Sequence, residues 1–261
     1  MTPASHPANY PKAALVTGAA KRIGRAIALE LASAGWAVAV HYNTSAKEAE
    51  SLARDIRARG GAAVALGADL ADESATAALV SRAVEALGGL GLLVNNASVF
   101  ERDDVGDATR ASWDHHMETN LRAPFVLSQA FAAQLPRGCG GVILNLLDAR
   151  VWNPAPGFTS YGVSKAGLWS LTRSLALDLA PRIRVNAIGP GPALPSARQS
   201  QEDFDMQCAQ MPLGIGTNPE EIARTVQFIL AARAMTGQMI ALDGGQHLGW
   251  ALPGMDARPV E

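Results

Sequence analysis

Cysteine is scarce: Cys139 and Cys208 are the only two in 261 residues. Two thiols without ligand spacing exclude a disulfide framework and a cysteine metal site, which makes a reducing compartment the expectation. No apolar run approaches the roughly 20 residues of a membrane-spanning helix. The opening MTPASHPANYPK has neither a basic nor an apolar leader region, so no secretory signal is expected. Charge of one sign is lacking too. A net charge of −2 offers nothing to draw nucleic acid or an anionic membrane. His6, His41, His115, His116 and His247 share no ligand spacing with cysteines or acids, so no metal is expected. What remains is a cytoplasmic chain, 48% apolar and of a length that suits one α/β domain.

Two further absences bear on function. The G-x-G-x-x-G fingerprint of dinucleotide sites is missing, and no carboxylate stands in HYNTS at 41–45. In place of the first is AALVTGAAKRIGRAIALELASAGWAVAVHY. Residues 13–17 read as a buried strand, 18–24 as a glycine turn, 23–34 as a helix stopped by Gly35, and 37–41 as a second strand. Strand, turn, helix and strand form the unit whose helix N-terminus receives a pyrophosphate. The second absence concerns the cofactor. An acid ending the second strand would repel a ribose 2′-phosphate. Here Lys21 and Arg22 in the turn, with the hydroxyls of Thr44 and Ser45, suit that phosphate, and NADPH is expected.

The alternation continues without a linker. Helices are expected at 45–59, 73–87, 112–135, 158–179 and 219–232, the third bent or broken at Pro124. Strands are expected at 62–68, 90–94, 141–147, 184–188 and 238–242, with 189–218 irregular. Such alternation means parallel βαβ construction, which binds ligands at the carboxyl ends of its strands. Gly18, Tyr42 to Ser45, Asp69, Asn96, Asp148, Pro190 and Gly191 fall there.

Tyr161 and Lys165 in TSYGVSK stand one helical turn apart on one face. A cation beside a phenol draws its pKa from about 10 toward neutrality, which makes Tyr161 a proton donor at ordinary pH. Asp148 lies thirteen residues upstream in LNLLDAR. It either serves this pair or closes a strand-end turn. Phe100 is either a site aromatic or core, and Trp152 either lines the substrate mouth or packs beside it.

TG(x)5G, NNA at 95–97, Asn120 and YxxxK resemble the short-chain dehydrogenase/reductase family from about residue 12 to 247. The resemblance implies one Rossmann-like doubly wound domain over 12–248, with about seven mostly parallel strands and helices on both faces. Residues 1–11 and 249–261 flank it, 189–218 forms the substrate loop, and a homotetramer is implied. The cofactor would meet Gly18, Lys21, Arg22, Ile23, Gly24 and Tyr42 to Ser45. It would also meet Asp69, Leu70, Asn96, Ala97, Ser98, Tyr161, Lys165, Pro190 and Gly191. Asn120 would hold a water chain behind Lys165.

At Asp148 most of this family has a serine that bonds a substrate carbonyl. A carboxylate there would repel a developing alkoxide and favours a substrate offering N–H donors. Arg22 in TGAAKRIG, NNASVF, LxDA and DGGQHL resemble pteridine reductases and bacterial dihydromonapterin/dihydrofolate reductases. That resemblance implies C=N reduction of a pterin, with Phe100 on its face and Arg22, Ser98, Asp148 and Tyr161 around it. Thr44 departs from the arginine frequent in those enzymes, and the threonine usual after Pro190-Gly191 is absent. An NADPH-dependent 3-oxoacyl or ketone reductase is the alternative, and a cofactor-binding sensor without turnover a third reading.

Overall fold

A computed structural model describes residues 10–196 and 198–249. The expected leading segment and tail lie outside the described residues except for Tyr10, Pro11 and Gly249, as does His6. Seven strands form one sheet: β1 (Ala13–Val16), β2 (Ala37–Tyr42), β3 (Ala63–Gly67), β4 (Leu92–Asn95), β5 (Gly141–Leu146), β6 (Ile183–Pro190) and β7 (Met239–Leu242). Their order is β3-β2-β1-β4-β5-β6-β7. Every pairing is parallel, so the sheet is wholly rather than mostly parallel.

The helices connecting these strands are α1 (Arg22–Ser33), α2 (Ala46–Ala58), α3 (Glu73–Leu87), α4 (Arg110–Met117), α5 (Ala123–Gln134), α6 (Thr159–Asp178), α7 (Gln201–Ala209) and α8 (Pro219–Ala231). They cover both faces. Alternate strand residues feed opposite layers. Val16, Val94 and Leu144 pack with Ile27, Leu31, Leu52 and Val226. Leu15, Leu93 and Ile143 pack with Leu79, Leu127, Phe131 and Leu175. The apolar runs of β1, β4 and β5 are therefore what a strand buried on both faces requires. The chain reverses direction across the sheet between β1 and β4, which opens the crevice where such sheets bind ligands.

Two further expectations change. The single helix over 112–135 is α4 and α5 joined by a π-helical turn, Glu118–Arg122. Within it Ala123 N–H bonds the Glu118 carbonyl, five residues back. Pro124 has no N–H, so the Asn120 carbonyl loses its ordinary i+4 donor; the wider turn absorbs the proline without breaking the helix. The segment 189–218 is not wholly irregular, because β6 runs on to Pro190 and α7 lies inside it. Helix α7 buries Gln207 alone, so it carries no apolar stripe by which periodicity could find it. Among the described residues no helix is long and apolar enough to cross a membrane.

Candidate active site

At the β1–α1 turn Gly18 has φ +60°. A side chain at Gly24 would put its Cβ 2.3 Å from the Gly18 carbonyl oxygen, so the close approach admits glycine alone. Asn96, at the end of β4, braces this turn: its Nδ2 donates to the carbonyls of Thr17 at 2.8 Å and Gly18 at 3.2 Å. The Thr17 hydroxyl accepts from the N–H groups of Asn96 and Ala97, each at 2.9 Å. His41 on β2, 1% exposed, completes the brace. Its Nδ1 accepts from Gly18 N–H at 3.0 Å, and its Nε2 lies 3.1 Å from the Ala68 carbonyl. Burial pushes the His41 pKa down to about 4, against the raising effect of the Ala68 bond, so the ring is neutral at ordinary pH. Helix α1 has no side-chain cap, which leaves its first N–H groups to an anion. Helix α2 likewise starts at Ser45 uncapped.

Arg22 occupies the turn with φ +53°, a conformation costly for any residue with a Cβ. Its guanidinium donates to the carbonyls of Pro195 at 3.0 Å and Leu194 at 3.4 Å, tying the turn to the 189–218 segment. Lys21 pairs with Glu48 at 2.8 Å, both exposed.

The second half of the site stands on β5 and α6. Asp148 follows β5 and takes both roles anticipated for it. Its Oδ1 accepts from Arg150 N–H at 2.8 Å, closing a turn, and its Oδ2 accepts from the Tyr161 hydroxyl at 2.7 Å. Lys165, 3% exposed, donates to the Leu146 carbonyl at 2.8 Å, and its Nζ lies 5.8 Å from the centre of the Tyr161 ring. Burial lowers the Lys165 pKa to about 8, with the Asp148 charge opposing. Helix α6 has no cap of its own at Phe158. Asp103 supplies one from 57 residues upstream, its Oδ1 accepting from Ser160 N–H at 2.9 Å. Asn120 is fully buried. Its Oδ1 accepts from Val99 N–H at 2.8 Å and Ser98 Oγ at 3.2 Å, and its Nδ2 donates to the Val99 carbonyl and Ser164 Oγ. Asn120 thus fastens the loop after β4 to α6.

A family model described as Enoyl-(Acyl carrier protein) reductase matches residues 18–247. The chain belongs to the short-chain dehydrogenase/reductase family. The 3-oxoacyl-(acyl-carrier-protein) reductase FabG of Staphylococcus aureus is 36% identical over 242 residues, covering 91% of this chain and 98% of that protein. Two solved structures are more alike. FolM Alternative dihydrofolate reductase 1 from Brucella suis, in complex with NADP, is 48% identical with a TM-score of 0.90, covering 95% of this chain and 98% of that one. The same protein from Brucella canis, also complexed with NADP, is 46% identical with a TM-score of 0.88, covering 94% and 98%.

Two adjoining cavities hold most of the residues singled out in the sequence. One, of about 420 Å³, is lined by Gly18, Lys21, Ile23, Gly24, Asn43, Asp69, Leu70 and Ala97 among others. The other, of about 270 Å³, is lined by Phe100, Asp148, Tyr161, Lys165, Pro190 and Gly191. Arg22, Ile23, Asn96 and Ser98 border both. Tyr42, Thr44 and Ser45 line neither, and a Cβ on Gly67 would meet the Tyr42 ring at 3.0 Å. Phe100 is half-buried, stacked on Phe158 and edge-on to Tyr161. Trp152 does not line the cavity; it is 43% exposed and packs edge-on to Trp169 and His247. Sequence reasoning missed His41, Asp103, Arg150 and Gln246, the last two on the cavity wall. Among the described residues no three His, Cys, Asp or Glu side chains gather as a metal would need.

Proposed function

We propose that the protein is an NADPH-dependent reductase of the C=N bond of a dihydropterin. The observation that carries this reading is the 2.7 Å hydrogen bond from the Tyr161 hydroxyl to the Asp148 carboxylate. A carboxylate beside the proton donor disfavours a developing alkoxide and suits a ring bearing N–H donors. The glycine turn supports the cofactor: Gly18 and Gly24 leave a cradle that side chains would fill, above the uncapped start of α1. The uncapped start of α2 beside β2, with no acid in 42–45, accommodates a 2′-phosphate. Likeness to the NADP-bound Brucella proteins agrees with both halves.

NADPH, when bound, supplies the hydride. Tyr161 gives its hydroxyl proton to the substrate nitrogen. Asp148 orients that hydroxyl and accepts from the ring's amino groups. Lys165, cationic below about pH 8, stabilises the phenolate and returns the proton. Asn120 holds the relay water through its main-chain carbonyl, whose usual donor is missing at Pro124. Phe100 lies against the pterin, and Arg22 and Ser98 border both ligands. The setting is a reducing cytoplasm and the assembly a homotetramer, for which Leu121, Phe125 and Leu171 present an apolar face.

The test replaces Asp148 with the family's serine. Asp148→Ser should slow dihydropterin reduction by about 10²-fold, the range for a lost acid–base group, while activity on a 3-oxoacyl thioester holds or rises. Full dihydropterin turnover in that variant would overturn the pterin reading. It would leave carbonyl reduction, which the likeness to the Staphylococcus aureus reductase favours.

A further inference from the structure

Phe100 is held from both sides by two side chains that stand one helical turn apart. On one side Asn120 fastens Val99, whose N–H donates to Oδ1 at 2.8 Å and whose carbonyl accepts from Nδ2 at 2.9 Å. On the other side Glu101 N–H donates to His116 Nε2 at 3.2 Å. His116, on α4, and Asn120 are both fully buried. His116 Nδ1 lies 2.9 Å from the Ser112 carbonyl, one turn back on the same helix. That carbonyl can only accept and Glu101 N–H can only donate, so the ring carries its proton on Nδ1 and presents a bare Nε2. The ring also stands edge-on to Tyr161, with centroids 6.3 Å apart and planes 72° apart.

The chain beyond Glu101 is fixed as well. The Asp103 carbonyl accepts from Thr159 N–H at 3.0 Å, and its Oδ1 accepts from Ser160 N–H at 2.9 Å. Ser112 Oγ donates to Asp103 Oδ2 at 3.3 Å. The strip is therefore pinned at Val99, Glu101 and Asp103. Phe100 lies between the first two pins, lines the substrate cavity and meets the Tyr161 ring edge-on. His116 lines neither cavity. A side chain that merely filled the space behind Tyr161 would do so more cheaply as a hydrocarbon, because a buried imidazole brings two polar nitrogens that need partners. We propose that His116 is a positioning residue for the reduction. Its Nε2 fixes the main chain at Glu101 and so sets how Phe100 meets the substrate ring. The role rests on the reductase reading above and adds to it a residue that touches neither ligand.

The test compares His116→Gln with His116→Asn in the full chain. The longer amide can set its oxygen where Nε2 stands and keep the Glu101 bond, whereas the shorter one reaches only the Ser112 carbonyl. With saturating NADPH, His116→Asn should raise the KM for dihydrobiopterin about tenfold, the scale of one lost buried hydrogen bond, with kcat changed less than about twofold. His116→Gln should stay within about threefold of the unaltered KM. The Kd for NADPH should be the same in all three proteins. A residue that only supports the fold would instead lower the urea midpoint and kcat of both variants alike, so equal KM values for the two overturn the positioning role. A measurement without any variant guards against misfolding. In the unaltered protein the Glu101 amide should exchange with deuterium more slowly than that of its exposed neighbour Arg102, and equal rates overturn the clamp. If the unaltered protein reduces a 3-oxoacyl thioester and no dihydropterin, the pterin reading falls, and the same contrast in KM on the thioester decides the role of His116. An unaltered protein that reduces neither overturns both.

Discussion

Acid should loosen the cofactor turn through His41 before it unfolds the rest of the sheet. Both ring nitrogens are engaged, Nδ1 accepting from Gly18 N–H and Nε2 facing the Ala68 carbonyl. Only the neutral tautomer with its proton on Nε2 satisfies both partners. The unfolded chain takes up this proton near pH 6.5, and the folded one near pH 4, chiefly because burial disfavours the imidazolium. The folded pKa is therefore the lower. The stability tied to it is present in full above pH 6.5 and is lost as pH falls toward 4. The gap of 6.5 − 4 corresponds to about 3 kcal/mol at 1.36 kcal/mol per pH unit. Carboxylates with lowered pKa values, such as Asp103, act in the same direction, so the comparison needs a control. His41→Gln keeps one acceptor and one donor but does not titrate. Urea unfolding of both proteins from pH 7 to pH 4 gives the two slopes. The wild type should lose about 3 kcal/mol more than the variant over that span, and its NADPH affinity should fall in the same window. Parallel slopes would refute the assignment of a neutral, turn-holding imidazole.

Three further outcomes can be measured. With saturating NADPH, dihydropterin kcat/KM should fall above about pH 8, because the lowered Lys165 pKa means the cation is present only below that value; a profile flat through pH 10 contradicts it. Asp103→Ala should cost about 1–2 kcal/mol in urea unfolding, since Ser160 N–H loses its cap, and should lower kcat by misplacing Tyr161. Unchanged stability would mean water replaces the carboxylate without cost. Arg22→Gly should relieve the strain of φ +53° and leave global stability within about 1 kcal/mol. It should also release Leu194 and Pro195, seen as faster trypsin cleavage at Arg198, and an unchanged cleavage rate would deny the tether.

The sheet was legible because burial on both faces writes itself as short apolar runs, and helices such as α1, α2 and α8 between them carry an apolar stripe. Tyr161, Lys165 and Asp148 were legible for a related reason. Doubly wound topology gathers strand ends, so residues far apart in sequence could be assigned to one crevice from the order of elements alone. What stayed hidden depends on pairings that no local rule encodes. His41 reads as a buried strand residue until Gly18 is brought against it. Asp103 lies in the polar stretch ERDD at 101–104, and nothing there announces a cap for a helix that starts at Thr159. Arg22 was read through its charge toward a phosphate, yet its partners in this structure are carbonyls 172 and 173 residues away. Helix α7 was missed because it buries too little to leave a pattern.

Departures from local rules collect around the same two cavities. An arginine sits at φ +53° where glycine would be unstrained. A π turn carries Asn120 where an α-helix would be more regular. A carboxylate faces the phenol, and the helix bearing that phenol takes its cap from a distant loop. The left-handed arginine costs on the order of 1 kcal/mol or more relative to glycine, and such a cost persists where the surroundings over-determine it. Away from the crevice local rules are kept more often: β1 is wholly apolar, and α3, α4 and α8 have their own N-caps. The left-handed arginine at the crevice points to selection for what the crevice does. Arg22 makes the case most directly. Replacing it by glycine would ease the backbone, so the residue is held there by its guanidinium, which bridges the cofactor turn and the segment that borders the substrate cavity.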